Sequence, residues 1–529
     1  MSGTRSGPSG QPRELDDTTE RAHGADAAAE MGRRQVRGSA ILMLGRIAAL
    51  VLTTATQIII VRALSKTDYG SFAYALALAA AGRTLLSLGQ GKLLSRFMAT
   101  YEEQRDYNRM FGAMFLAVVT IALTSILTIT ALFLFNDALV GSAVDSPTAI
   151  QLVLILVFLA PLEALDQVFV SLFAVFGKPS AIFFRRHLLT PGLRLLVVLL
   201  LVVLGSSVTF LAIGYVVSAL IGLFIYLRLL VQMLRERDLL KELKPRQMVL
   251  PYKAVFAFSF PLITGELFLL SQTAGGVLVL AYYQSTVEVA NYRAVFNPAR
   301  LNTAITTAFV TLFLPMAARL FARDDVDGLR RSYWHTAVFV AVLTFPIFAL
   351  TGPLAPNTTV LLFGARYAES STVLAVLAIG YYFGAMLGFN AYTLQVCGRI
   401  RYLVGVNVFV AALNLGLTFV LVPHFAAAGA AMANCAALVT QNVLNQWALR
   451  RSIGTAFIDR AYLSCYLIII GCSSALWAFQ LLAAPGLIVS LTVATVISLV
   501  VLFTTRKALQ LSDTFPELAR LPVVRWLIR

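Results

Sequence analysis

The sequence predicts an all-α, polytopic membrane protein with about fourteen transmembrane helices, twelve in two related six-helix lobes and two behind them. Three observations carry that expectation. Of the 529 residues, 59% are hydrophobic and only 13% charged, with a mean hydropathy of +0.80. Apolar runs of roughly twenty residues, enough to cross a bilayer as helix, recur from end to end. The opening unit also recurs after 220 positions, laying Gly45-Arg46 on Gly265-Glu266, Ser65 on Ser285, Asp68 on Glu288, Gly70 on Ala290 and Phe72 on Tyr292. Such a duplication places a polar centre between two halves. The short alternating segments of a transmembrane barrel are missing.

In chain order, residues 1–37 are rich in Gly, Ser, Pro and charge, lack a cleavable leader, and read as a disordered cytoplasmic tail. The first lobe, 38–233, is expected to hold helices near 39–62, 70–92, 110–135, 149–176, 183–204 and 208–232. Helix one leaves through the polar turn Ser65–Gly70, and helix two contains the small-residue run A-A-A-G-R-T, which permits close helix approach. A charged linker, 234–253, carries Pro245 and Pro251. The second lobe, 254–451, is expected to hold helices near 254–282, 290–317, 334–352, 370–396, 402–422 and 426–448. Pro298 should kink or break helix eight. Two added helices near 461–482 and 485–504 fall in 452–504. The basic tail 505–529 has a helix-start signature, S-D-T-F-P-E, and then mixes Leu, Val and Trp526 with Arg, which suits an interfacial helix or an unstructured tail. Helical backbone is forced throughout the spans, because lipid offers no partner to an open amide.

Orientation follows from Lys and Arg. With the N-terminus cytoplasmic, the inner loops and tails hold nearly all the cations, Arg185, Arg237 and Arg330 among them, whereas the outer loops hold Arg62, Lys66 and Arg366. Both ends are therefore expected inside, in a cytoplasmic (inner or plasma) membrane. The net charge of +16 points to anionic lipid heads rather than nucleic acid. Cys397, Cys435, Cys465 and Cys472 show no C-x-x-C spacing and read as free thiols. His23, His187, His335 and His424 are far apart, and no P-loop lysine motif is present. No catalytic residue, metal site or cofactor is expected, and the chain does not read as an enzyme.

The informative residues are the ionisable groups within spans: Arg46, Arg83, Glu163, Asp166, Arg194, Glu266, Arg293 and Arg300. Each is by default a functional hypothesis, weighed against a structural ion pair or a side chain snorkelling to the interface. Arg46 favours a cavity. For Arg83, a structural pair and a ligand role weigh equally. Arg194, after Pro191-Gly192 and close to the inner end, reads as structural. Glu163 and Asp166, spaced i, i+3, share one helix face. They suit either proton or sodium coupling or the neutralising of Arg46 or Arg83. Arg293 and Arg300 lie seven apart in N-Y-R-A-V-F-N-P-A-R-L-N, with Asn297 between them. Two arginines so placed call for an anion, and their planar forks suit phosphate oxygens, with Glu266 as the local counter-ion.

Three stretches carry a resemblance: V-R-A-L-S-K-T-D-Y-G-S-F-A-Y-A-L-A-L with L-L-S-L-G-Q-G-K-L-L-S-R-F; L-L-F-G-A-R-Y-A-E-S-S-T-V-L from Leu361; and L-Q-V-C-G-R-I-R-Y-L-V-G-V-N from Leu394. In order and spacing the chain resembles the polysaccharide (O-antigen-type) flippase family of the superfamily that includes the MATE transporters and the lipid-II flippase. The resemblance implies alternating access between the lobes and export of a polyprenyl-diphosphate-linked oligosaccharide. It also implies that cationic cavity residues hold the diphosphate, a role carried here to Arg46, Arg293 and Arg300. Membrane lipids, and a glycan polymerase and glycosyltransferases, would be its partners, and H+ or Na+ coupling stays open. The last two helices resemble those of the lipid-II branch, so peptidoglycan precursor stays open as cargo. A cation-coupled multidrug exporter of the same fold is the further alternative, disfavoured by five intramembrane Arg against three acids. Reporter fusions should place Met31 and Arg529 in the cytoplasm; an external signal from either end would reverse the topology.

Overall fold

The computed structural model of the protein describes residues 48–87, 90–135, 141, 146–176, 183–242, 245–252 and 265–509. The expectations for the N-terminal tail, Arg46 and the stretch 510–529 lie outside the described residues.

The first half runs α1 (Ala48–Ala63), α2 (Lys66–Ser87), α3 (Gln90–Glu103), α4 (Tyr107–Leu134), α5 (Pro147–Leu156), α6 (Leu159–Val175), α7 (Thr190–Leu204) and α8 (Val208–Glu236). The second runs α9 (Gly276–Tyr283), α10 (Thr286–Ala299), α11 (Leu301–Ala322), α12 (Val326–Thr351), α13 (Ala355–Phe363), α14 (Ser370–Leu387), α15 (Asn390–Val396) and α16 (Ile400–Ile453). The added pair is α17 (Leu463–Ala483) and α18 (Leu487–Leu509). Among the described residues, 11 helical segments are long and apolar enough to cross a membrane. The longest, 54-residue α16 is two helices folded at Ala426 (φ 46°, ψ −129°), just past Pro423. With that fold, α1 and α2 counted, the described segments reach the fourteen crossings the sequence predicts.

The duplication is visible in the helix ends. α1 ends at Ala63 and α2 starts at Lys66; α9 ends at Tyr283 and α10 starts at Thr286, the same 220 residues on. In the first copy Ser65 caps α2, its Oγ accepting from the Asp68 amide (3.0 Å). α4 and α12 start alike: Asp106 and Asp325 each accept the third amide of their helix, and the preceding Arg105 and Asp324 both have φ 55°. A helix start repeated in this detail is set by local sequence.

The two halves meet at one end. A single buried cluster runs through α1, α2, α5 and α8 into α9, α10 and α14, so the halves share one core there. A second cluster, built on α3, α4, α6 and α8, lies wholly in the first half, and a third, on α11, α12 and α14, joins the second half to the added pair α17 and α18. The shared contact depends on α2 crossing α10 where side chains are smallest. A Cβ on Gly70 would stand 1.8 Å from the Thr286 carbonyl oxygen, so only glycine permits this approach. Pro298 breaks the long eighth span as expected: α10 ends at Ala299, and Arg300 (φ −96°, ψ 9°) leaves the helix before α11 begins.

Gly70→Ala should therefore lower thermal stability by about 1–3 kcal/mol through overpacking of backbone. Gly405→Ala, whose Cβ would meet nothing within 4 Å, should be neutral or slightly stabilising. Equal unfolding temperatures for the two variants would contradict this packing.

Candidate functional site

Pro298 lacks an N–H, so the carbonyl four residues earlier, on Ala294, has no helical donor. In lipid such a group needs a partner from elsewhere. Gln57 of α1 supplies it. Its Nε2 donates to the Ala294 oxygen (2.9 Å) and the Arg293 oxygen (3.1 Å), while Asn297 Nδ2 donates to its Oε1. This amide clasp ties the first half to the second at the helix that carries the two arginines. Gln57 was not singled out from sequence; a lone amide within an apolar span was the available signal.

Beside the clasp lies a cavity of about 180 Å³. α1 contributes Thr53, Thr56 and Gln57, α2 contributes Tyr69 and Phe72, and α7 and α8 bring Pro191, Arg194 and Tyr215. From the other half α10 brings Arg293 and Asn297. Two arginines and no carboxylate line the wall. Arg293 is half-buried, its guanidinium over Phe296 (5.1 Å), and its Nη1 is buried with no hydrogen-bond partner among the protein groups. Arg300 lies over the same ring (5.6 Å) but beyond the helix break, outside the cavity wall. The two are thus neighbours across one aromatic ring rather than a stripe along one helix.

Of the other candidates, Glu163 receives Arg194 at 2.9 Å and Arg83 at 3.6 Å. Asp166 receives Arg185 at 2.6 Å. Arg185, counted by sequence among the inner-loop cations, is 4% exposed and stacked over Tyr226 (4.9 Å). A Cβ on Gly222 would clash with its guanidinium, so the space it fills was reserved by glycine. Glu266, the expected counter-ion, is not among the residues that line the cavity. Arg194, read as structural, is ion-paired and also lines the cavity. Arg83 is ion-paired and 43% exposed, away from the cavity.

The expected outer-loop cations gather at the end where the halves meet. Arg62, in the last turn of α1, donates from Nε and Nη2 to the carbonyls of Leu362 (2.9 Å) and Leu361 (2.5 Å), in the last turn of α13. Arg366 returns the favour, Nη2 donating to the Val61 and Arg62 carbonyls of α1. Arg62 caps the carbonyl end of α13 and Arg366, just past that helix, caps the carbonyl end of α1, where a cation also suits the dipole. Lys66 adds a contact over the Tyr367 ring (5.2 Å). The reciprocal caps form a latch closing the seam.

The sequence profile of the polysaccharide biosynthesis protein family matches residues 35–321, more than half of the chain. The chain belongs to this family. No curated protein sequence matches it. Among solved structures, this family member is similar to the lipid II flippase MurJ in an inward closed conformation: 13% identity, 92% of this chain, 100% of that one, TM-score 0.68. It is also similar to an inward-facing multidrug resistance MATE family transporter of the MOP superfamily: 14% identity, 78% and 98% covered, TM-score 0.62. A third is a MOP superfamily transporter from Pyrococcus furiosus, described by the reverse polarity of its binding pocket: 16% identity, 80% and 95% covered, TM-score 0.52. The fold is that of MOP-superfamily transporters, and the chain is a multi-pass membrane protein.

Removing both caps, as Arg62→Ala with Arg366→Ala, should loosen the latch. A reporter Thr56→Cys, 5% exposed on the cavity wall, should then react several-fold faster with an impermeant thiol reagent. Unchanged labelling would show that the latch does not hold the seam.

Proposed function

We propose that this family member moves a polyprenyl-diphosphate-linked oligosaccharide from the cytoplasmic to the outer leaflet by alternating access. The observation that carries the reading is the seam cavity, walled by both halves, with Arg293 and Arg194 and no carboxylate among its lining residues. Family membership supports a role in polysaccharide biosynthesis, and the transporter fold supports movement rather than synthesis.

In this reading the halves, 38–233 and 254–451, close and part along the α2–α10 seam while 234–253 links them and 452–504 packs on the second half. With the Lys and Arg asymmetry setting both termini in the cytoplasm, the Arg62–Arg366 latch lies outside. The described state is then shut towards the outer leaflet. Arg293, with Arg300 and Asn297 beside it, receives the diphosphate, and Arg46 is proposed to join from helix one. The lipid tail stays in the bilayer. Parting of the latch exposes the head group outside, and the membrane potential, at about 2.3 kcal/mol per charge per 100 mV, favours outward movement of an anion. Glu163 and Asp166 serve as counter-ions to Arg194, Arg83 and Arg185, which leaves H+ or Na+ coupling without a dedicated pair in the described structure. A basic wall also disfavours cationic drugs as cargo.

Arg293→Glu with Arg300→Glu should abolish translocation of a polyprenyl-diphosphate glycan in reconstituted vesicles, with membrane level and unfolding temperature near wild type. Normal transport by that variant would end this reading.

A further inference from the structure

The seam cavity holds a second arginine that the reading above does not use. Arg194 comes from α7 of the first half and shares the wall with Arg293 of the second. Its guanidinium rests on Tyr215, 4.8 Å from the ring centroid, and Tyr215 is itself part of the wall. One Nη2 donates to Glu163 at 2.9 Å, while Nε is buried with no hydrogen-bond partner among protein groups. Two arginines, one from each half, therefore line a single cavity.

We propose that Arg194 is the first half's contribution to a phosphate site at this seam, with Glu163 as the counter-ion that an incoming phosphate displaces. The proposal rests on the reading of the cavity as the place where a diphosphate is held. Three features favour it over a purely structural pair. First, Arg194 is 27% exposed and faces the cavity, whereas the neighbouring Arg185–Asp166 pair has its arginine 4% exposed and away from that wall. Second, Glu163 keeps Arg83 at 3.6 Å when Arg194 leaves, so its charge is not stranded in the membrane. Third, two like charges facing one cavity repel until an anion joins them, and a guanidinium fork matches phosphate oxygens better than it matches a single carboxylate oxygen. The ligand class follows from size: about 180 Å³ is below the range of pockets that enclose drug-sized molecules, so the cavity suits a phosphate or diphosphate and not the glycan. Bridging arginines of both halves, the anion itself draws the seam together.

The test uses the purified full chain. Inorganic pyrophosphate is titrated in one arm, and a polyprenyl diphosphate in nanodiscs in the other. Arg194→Gln should weaken binding about tenfold, and Arg194→Lys, which keeps the charge beside Glu163 but loses the fork, by several-fold. Glu163→Gln should tighten it, because the competing carboxylate is gone, and adding Arg194→Gln should erase that gain. Tight binding of the lipid alone assigns the anion to a lipid head, and equal binding of both probes assigns it to free phosphate. Arg194→Gln and Arg194→Lys binding like wild type while Arg293→Gln loses binding would overturn the role of Arg194 alone. If none of the three matters, the cavity is no phosphate site and the functional reading falls with it. Should Arg194→Gln fail to fold, Arg194→Lys decides.

Discussion

A proline in a membrane helix leaves a carbonyl that must be satisfied, and here that requirement joins the two halves. Pro298 opens the Ala294 oxygen, and Gln57 from the other half closes it. The same break lets Arg300 leave α10 while Arg293 stays on it. The polar clasp and the helix break are thus consequences of one backbone defect, and the arginine-lined cavity lies beside them. In water the freed carbonyl would be solvated at little cost; in hydrocarbon it dictates which side chain must arrive.

Around that clasp the halves share a buried apolar cluster and one close backbone approach. Gly70 against Thr286 brings α2 and α10 close, and the paired arginine caps seal the end beyond them. Such a seam suits a joint that opens. Lipid gives no hydrophobic gain for bringing apolar helices together, so close packing and a few directed hydrogen bonds carry the association. Hydrogen bonds from charged donors are strong, yet four of them at a helix end exposed to solvent can be exchanged for water. The first half's own core, and the core joining the second half to the added pair, keep each side rigid while the joint moves.

The charges within the bundle divide by exposure. Arg185 and Asp166 are enclosed, stacked and shaped by Gly222, and hold the first half together. Arg194, Arg83 and Glu163 are more open and share one carboxylate between two cations. Arg293 lines the cavity and makes no ion pair among the described residues. A gradient from sealed pair to unpaired cation, running towards the seam, is what a site for an anion requires.

The sequence by itself determined the helical class, the number of crossings, the internal duplication, the break at Pro298 and the family. All of these are written in local composition and spacing, where hydrophobic run length and proline chemistry act without knowledge of the fold. It also marked Arg293 and Arg300 as unusual for a membrane span. What only the tertiary structure decided is which charges meet. Arg185 reads as a loop cation until Asp166 is seen beside it, Arg194 reads as structural until the cavity is seen, and Arg62 and Arg366, some three hundred residues apart, show no local sign of capping each other. Pairing across such separations depends on how helices are arranged around one another, and hydropathy records only that they cross.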